Sequence, residues 1–368
     1  MTETVKVLPV DILQQFMQDV FVGLGVPADE AAISAQILIQ SDLFGIESHG
    51  VGRLKMYYDR IKNGQHRPTT QFEIVKQAPA TAVVDGHHGV GMVIGYKAMS
   101  LAIEKARVYG MGSVAVRNST HFGIDGYYPL MAARAGMIGM SFTNARPSIA
   151  PTFGVQPMLG TNPIAFGCPT DEANPFLYDA ATSITQRGKF ETLERKCLPG
   201  KAGWVTDQQG NFLTDASEVL KGLTQDTAAL LPLGGAGEDL GGHKGYGLAT
   251  IVEILSASLQ SGAFLHALSG ITPEGGKTHF KLGHFFMAVN VESFTDLDAF
   301  KKTTGDILRA LRAARKAPGQ PRIYTAGEKE FEKELEVRQT GVAIVPKLQQ
   351  DLLTMRNELG LTQYQFDF

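Results

Sequence analysis

The heptad Glu47-Ser48-His49-Gly50-Val51-Gly52-Arg53 sets a hydroxyl beside an imidazole, with a guanidinium one helical turn further on. Imidazole titrates near neutrality and can hand a proton to a forming alkoxide. Guanidinium grips a carboxylate through two parallel hydrogen bonds, which a lysine does less well. Together these suit reduction of a carbonyl that sits next to a carboxylate. A helix end capped by Ser48, with a solvated His and Arg, also reads from the same residues. A second cluster, Asn118-Ser119-Thr120-His121-Phe122-Gly123, follows the β-rich run Ser113 to Val116. Polar residues at a strand's carboxyl end are where α/β layers bind ligands, although His121 taken alone serves a structural role as readily. Gly160-Thr161-Asn162-Pro163 makes a polar turn between apolar runs, and Asp179-Ala180-Ala181-Thr182-Ser183 ends another strand. Gly241-Gly242-His243-Lys244-Gly245-Tyr246-Gly247 precedes a long apolar run, and reads either as an anion cradle at a helix start or as a flexible linker.

Several common chemistries find no support. In Gly89-Val90-Gly91-Met92-Val93-Ile94-Gly95 the last glycine falls one position late for a dinucleotide fingerprint, and no acid follows at the expected distance. Gly237 to Lys244 has the wrong register for a phosphate loop, and Gly245 replaces the hydroxyl residue that would hold magnesium. Both read as tight turns. The nine histidines form no HExxH or CxxC-type spacing, so no metal is expected. No GxSxG elbow makes Ser48 a hydrolase nucleophile.

The elements that must carry these residues follow from periodicity. Ile12, Phe16, Val20 and Phe21 predict a helix over Pro9 to Leu24. Pro27-Ala28-Asp29-Glu30 opens a second, with acids where the helix dipole favours them. Arg53 to Ile61 is a third, so the first 75 residues read as helical. From about Val75 strands alternate with helices: Thr81 to Asp85, Ser113 to Val116 and Ile138 to Thr143 as strands, Tyr96 to Tyr109 and Tyr127 to Ala135 as helices. Tyr246 to Phe264 suits a buried helix with Glu253 in its middle, and His284 to Val289 is a strong strand. Thr295 to Lys316 returns to helix with Leu297, Phe300, Ile307, Leu308 and Leu311 as its apolar face. The expected architecture is an α/β domain over 76–295 inserted into a helical domain made by both chain ends, 1–75 and 296–368.

Composition narrows the partners. With 43% hydrophobic and 19% charged residues the chain reads as an ordinary globular enzyme. A net charge of -3 leaves no basic stripe for nucleic acid. Two cysteines, Cys168 and Cys197, make no disulfide framework, so a reducing cytoplasm is expected. The N-terminus lacks the basic head and apolar run of a signal peptide, and no apolar stretch is long enough to span a membrane.

The segments SDLFGIESHGVGRL, RNSTHFGIDGYY, PMLGTNPIAF, YDAATS, GWVTDQQGN and GGHKGYGLATIVEIL occur in this order. Through them the chain resembles the malate/L-lactate dehydrogenase family of the sulfolactate dehydrogenase-like fold, over roughly residues 8 to 330. The resemblance implies a non-Rossmann, mixed-sheet nucleotide-binding domain, a homodimer or dimer-based assembly, and an NAD- or NADP-dependent dehydrogenase interconverting a small 2-hydroxy acid and its 2-oxo acid. It casts His49 as proton donor with Ser48 relaying to it, Arg53 as the carboxylate clamp, and His121 as a second acid/base candidate. It puts Thr161 and Lys189 near the substrate and matches Asp207 to a charge-relay aspartate. His121, Phe122, Gly123, Ile124, Asp125, Ser141, Asp179, Ala180, Ala181, Lys244 and Gly245 fall in the implied cofactor shell, as do Gly327 and Glu328 where an R-x-P-G-E stretch is expected. Here that stretch reads Arg322-Ile323-Tyr324-Thr325-Ala326-Gly327-Glu328. Residues 235–240 tilt the substrate toward the malate and lactate branch, and the tail from Glu330 to Phe368 reads as a helical extension. A cyclic imino acid reductase, or a dehydrogenase of diketogulonate or ureidoglycolate, uses the same clamp and acid. A non-catalytic ligand-binding relative is the remaining class.

Overall fold

The computed structural model describes residues 4–272 and 274–368, Arg195 through its backbone only. Strand β1 (Lys6–Leu8) is followed by α1 (Val10–Gly23), α2 (Ala28–Leu43) and α3 (Leu54–Lys62). The helical spacing of α1 turns Leu13, Phe16, Met17, Val20 and Phe21 fully inward. Next come β2 (Glu73–Gln77), β3 (Thr81–Asp85), α4 (Gly91–Tyr109), β4 (Met111–Ser119), α5 (Tyr127–Arg134), β5 (Met137–Thr143), β6 (Ile164–Cys168) and β7 (Phe176–Ala180). A smaller unit contains α6 (Arg187–Arg195), β8 (Val205–Asp207), α7 (Ala216–Thr224) and β9 (Ala228–Leu230). The chain closes with α8 (Gly242–Ala257), β10 (Leu282–Asn290), α9 (Leu297–Ala313), α10 (Glu328–Thr340), β11 (Val342–Ile344) and α11 (Pro346–Glu358).

The main sheet has seven strands in the order β2-β3-β4-β10-β5-β6-β7. Only β3 and β4 run parallel, joined by the crossover helix α4; every other neighbouring pair is antiparallel. This mixed sheet is not the parallel doubly wound arrangement, in keeping with the missing glycine fingerprint. The glycines before and in α4 serve packing instead. A Cβ on Gly91 would lie 2.2 Å from the carbonyl oxygen of Thr120, so the helix start can press against the segment that carries His121.

The two chain ends meet. β1 pairs antiparallel with β11, Phe16 packs edge-on against Tyr364 and Phe366, and the Tyr58 hydroxyl donates to Glu358 at 2.5 Å. Among the described residues, no helix is long and apolar enough to cross a membrane.

Four sequence expectations need correction. The first 75 residues are not all helical, because β1 and the start of β2 lie among them. The tail is not purely helical, because β11 interrupts it. A three-residue strand has no periodicity to detect; each of these two exists because the other lies beside it. The apolar segment containing α8 is only half buried: Ala249, Val252 and Glu253 face in, while Ile251 and Ile254 stand more than half exposed. Likewise Ile307 and Leu311 of α9 face out and only Leu308 and Gly305 are buried; the helix is tied down by Arg309 and Arg312, which bond Asp171 and Glu172.

Candidate active site

The Ser48–Arg53 segment is shaped from below by Asp42, near the end of α2. Asp42 is buried, and its Oδ2 accepts from the backbone N–H of Val51 at 2.8 Å. A Cβ at Gly50 would meet the same carboxylate at 2.1 Å, so only glycine lets the turn close over it. Burial lifts Asp42 to about 7 against the Val51 hydrogen bond that lowers it, with Glu47 adding to the rise. The turn then runs through a single 3-10 step, Val51–Arg53, into α3. Arg53 and Arg60, two helical turns apart, line the same cavity, and Tyr57 between them bonds His121.

Thus Ser48, His49, Arg53 and His121 come together, though His121 lies 68 or more positions along the chain from the other three. They line a cavity of 380 Å³. The Ser48 Oγ lies 2.9 Å from Nδ1 of His49, and Arg53 Nε donates to the Ser48 carbonyl at 2.6 Å, which fixes the guanidinium against the turn. The rings of His49 and His121 stack 5.5 Å apart. Burial, with Arg53 adding to it, lowers His49 to about 4. Burial also holds His121 well below its ordinary value, reinforced by His49, Arg53, Arg60 and His66. Both imidazoles are therefore neutral at pH 7.

Arg60 lies over the face of Phe280, 4.2 Å from its centroid, and burial draws it down to about 10, with Arg53 and Arg146 adding to the fall. Arg146 lines the cavity just past the end of β5. Its segment is pinned by Asn162, whose Oδ1 accepts from Ala145 N–H at 3.3 Å and whose Nδ2 donates to Glu253 at 2.9 Å. Among the described residues, no carboxylate is bonded to Arg53, Arg60 or Arg146. Three guanidinium groups converging without a counter-ion call for an anionic ligand.

Phe122, Gly123, Ile124, Asp125, Thr161, Asp179, Ala180 and Ala181 form a further part of the cavity wall. Phe122 stacks flat on buried His284, ring centroids 4.4 Å apart. Ser141 stands behind this wall and donates to Asp125 at 2.5 Å; Gly126 N–H donates to Asp179 at 2.7 Å. Burial pushes Asp125 well above its ordinary value, helped by the neighbouring Asp179, which burial itself raises to about 6. Asp125 Oδ2 is buried, with no hydrogen-bond partner among the described residues. An unsatisfied acceptor at the cavity suits a ligand that carries an amide or hydroxyl donor. Asp179, Ile46 and Ile124 also line an adjoining cavity of 270 Å³, whose far side is Tyr324, Gly327, Lys329 and Glu330. Two cavities that share Ile46, Ile124 and Asp179 suit an elongated cofactor with two ring systems.

Other sequence candidates lie elsewhere. Asp207 is not beside either histidine: its carboxylate closes a turn, accepting from the backbone of Gln209 and Asn211 and from the Asn211 side chain, which lowers its pKa. Lys189 is exposed next to Gly188, which does line the cavity. Lys244 is exposed at the start of α8, and a Cβ on Gly245 would meet the Leu233 carbonyl at 2.1 Å, so that glycine accommodates the chain's own backbone rather than forming an open cradle. Glu328 turns from the cavity toward Arg312, Arg322 and the N–H of Thr325. Sequence reasoning missed Asp42, Tyr57, Arg60 and Arg146. The 53, 57, 60 spacing along one helix was the available signal for two of them.

The family description malate/L-lactate dehydrogenase matches residues 8–353. Malate dehydrogenase of Pyrococcus abyssi is 45% identical over 355 residues, 96% of this chain and 95% of that protein. L-sulfolactate dehydrogenase of Methanocaldococcus jannaschii is 37% identical over 359 residues, 98% of this chain and 96% of that protein. The crystal structure of malate dehydrogenase from Entamoeba histolytica superposes with a TM-score of 0.94 at 43% identity, covering 99% of this chain and 100% of that one.

Proposed function

This chain belongs to the malate/L-lactate dehydrogenase family, and from that premise we propose that it interconverts malate, or another 2-hydroxy acid bearing a second anionic group, with the matching 2-oxo acid. It is an oxidoreductase acting on CH–OH groups with a nicotinamide cofactor, NAD or NADP. The observation that carries the substrate reading is that Arg53, Arg60 and Arg146, none bonded to a carboxylate among the described residues, line one cavity with two neutral stacked histidines. Arg53, braced on the Ser48 carbonyl, grips the carboxylate beside the reacting carbon. Arg60 and Arg146 receive the second anionic group, whether carboxylate or sulfonate. His121 or His49 supplies the proton to the carbonyl oxygen.

Asp125, Asp179, Ala180 and Ala181 would hold the nicotinamide end of the cofactor, and Gly327 with Glu330 the other end. When bound, the cofactor supplies the hydride. The residues of the chain orient the acid, exclude water and deliver the proton.

The test is loss of absorbance of NADH or NADPH with oxaloacetate, sulfopyruvate, pyruvate and piperideine-2-carboxylate in parallel. A charge-assisted contact contributes about 1.5–3 kcal/mol, so kcat/KM for a dianionic oxo acid is expected to exceed that for pyruvate by about 10- to 100-fold. Equal rates with pyruvate, or turnover of the imino acid alone, would refute the substrate reading. Arg53→Lys is expected to raise KM about 10-fold or more with a smaller change in kcat, because the bidentate grip is lost. An unchanged KM would remove Arg53 from the role of clamp.

A further inference from the structure

Tyr57 is fully buried on α3, and the substrate clamp and proton transfer described for this site do not employ it. Its hydroxyl lies 2.5 Å from Nδ1 of His121. The backbone N–H of Gly123 also donates to that nitrogen, at 3.3 Å. A ring nitrogen that receives an N–H carries no hydrogen of its own. Nδ1 is therefore the acceptor, the phenol O–H is the donor, and the imidazole hydrogen of His121 sits on Nε2.

The ionisable groups that act on His121 are His49, Arg53, Arg60 and His66, and those on Tyr57 are Arg53 and Arg60, with buried Tyr128 also against Tyr57. In a triad with an aspartate, the carboxylate stabilises the imidazolium formed during reaction. Here an imidazolium would form among guanidinium groups, which disfavour it, whereas an anion on Tyr57 would be attracted to them. Burial raises the phenol above its ordinary value while Arg53, Arg60 and the Gly123 N–H, which also reaches the phenol oxygen, pull it back. The balance is upward, which brings its acidity toward that of the alcohol being formed.

We infer that Tyr57 is the proton reservoir of this site and His121 its conduit, which rests on the proposed function with His121, of the two histidines, as the donor to the carbonyl oxygen. As the carbonyl carbon takes up the hydride and its C=O π bond becomes a lone pair on oxygen, that oxygen forms a bond to the hydrogen on Nε2 of His121. The Nε2–H bond breaks, Nδ1 takes the phenolic hydrogen, and the O–H bond of Tyr57 breaks. The imidazole starts and ends neutral, its hydrogen moved from Nε2 to Nδ1. Tyr57 is left as a phenolate facing Arg53 and Arg60. A proton from water entering at Nε2 then returns the Nδ1 hydrogen to Tyr57 and restores the pair.

Two measurements test this. In the free enzyme carrying nitrogen-labelled histidine, NMR is expected to show His121 protonated on Nε2 and bare on Nδ1 from about pH 5 to about pH 8. Tyr57→Phe keeps the buried ring and removes only the hydroxyl. It is expected to lower kcat for reduction about 100-fold with KM changed less than about threefold. The pH profile is also expected to change form. Wild-type kcat stays flat over that range, whereas the variant, dependent on an imidazolium, loses rate as pH rises. A hydrogen on Nδ1 of wild-type His121 would overturn the relay without any variant. So would a Tyr57→Phe enzyme that keeps kcat and its pH profile. If the wild type turns over no oxo acid with either cofactor, the functional reading fails, and the relay with it.

Discussion

Replacing His121 with glutamine is expected to lower kcat by about 10²- to 10⁴-fold, the range over which a positioned acid or base acts. Glutamine keeps comparable volume and an amide that can meet Tyr57 and Gly123, so the cavity wall survives while the proton carrier does not. The same change at His49 is expected to cost kcat less than about tenfold. The reason is the partner each ring has. His121 is oriented by two buried or half-buried donors on one nitrogen, whereas among the described residues the His49 ring is bonded to the exposed Ser48 hydroxyl alone. With His49 lowered to about 4, it is already neutral throughout the working range, so its loss leaves the pH profile above about pH 5 unaltered. Single-turnover rates of the two variants decide the matter. A larger loss at His49 would transfer the acid/base role to it.

The second large effect concerns Asp42 and depends on pH. Its carboxyl rises from 3.8 to about 7 on folding, chiefly through burial. A carboxyl raised in the folded state favours folding when protonated and opposes it when ionised. Wild-type stability should therefore fall as pH climbs from about 4 to about 7, and stay at the lower level above that. Each tenfold change in proton affinity corresponds to about 1.4 kcal/mol, so the full swing is on the order of a few kcal/mol. Asp42→Asn is held in the neutral form and keeps an oxygen for the Val51 N–H. Relative to wild type it should gain little at pH 4 and gain most at pH 8, read from urea midpoints. A difference independent of pH would refute the buried ionisation. Asp42→Ala, which lacks any acceptor, should instead loosen the turn that presents His49 and Arg53, and raise KM at every pH.

How much of this is legible in the sequence depends on the range of each interaction. Helices α1 and α5 and strands β3, β5 and β10 follow from local periodicity, with boundaries close to the expected ones. Helix α4 instead begins at Gly91, five residues before the expected Tyr96, so that Gly91 to Gly95 form its first turn and not the expected tight turn. The short pair β1–β11 does not, because its two members are more than 300 residues apart and each has only three residues. The apolar run in α8 reads as buried because hydrophobicity along a helix reports composition, not which face has a neighbour. With only one flank against the sheet, Ile251 and Ile254 are left outside.

The site divides in the same way. Residue chemistry alone identifies Ser48, His49, Arg53 and the His121 segment, and family resemblance supplies the Asp125 and Asp179 wall, all of which meet in one cavity. Asp207 matches through its motif, yet its carboxylate is occupied within its own turn by Asn211, away from the histidines. Glycines 242 and 245 resemble a phosphate cradle because a glycine required by tight packing and one required by a ligand are the same letter.

What the sequence determined by itself was the reaction class and the groups able to perform it, since side-chain chemistry is carried by each residue wherever it ends up. Tertiary structure alone decided which of those groups share a cavity, that three arginines line it with no carboxylate bonded to them among the described residues, and that Tyr57 bonds His121. Those are properties of distance and desolvation. They arise when segments remote in the chain exclude water from one another, and no local pattern encodes them.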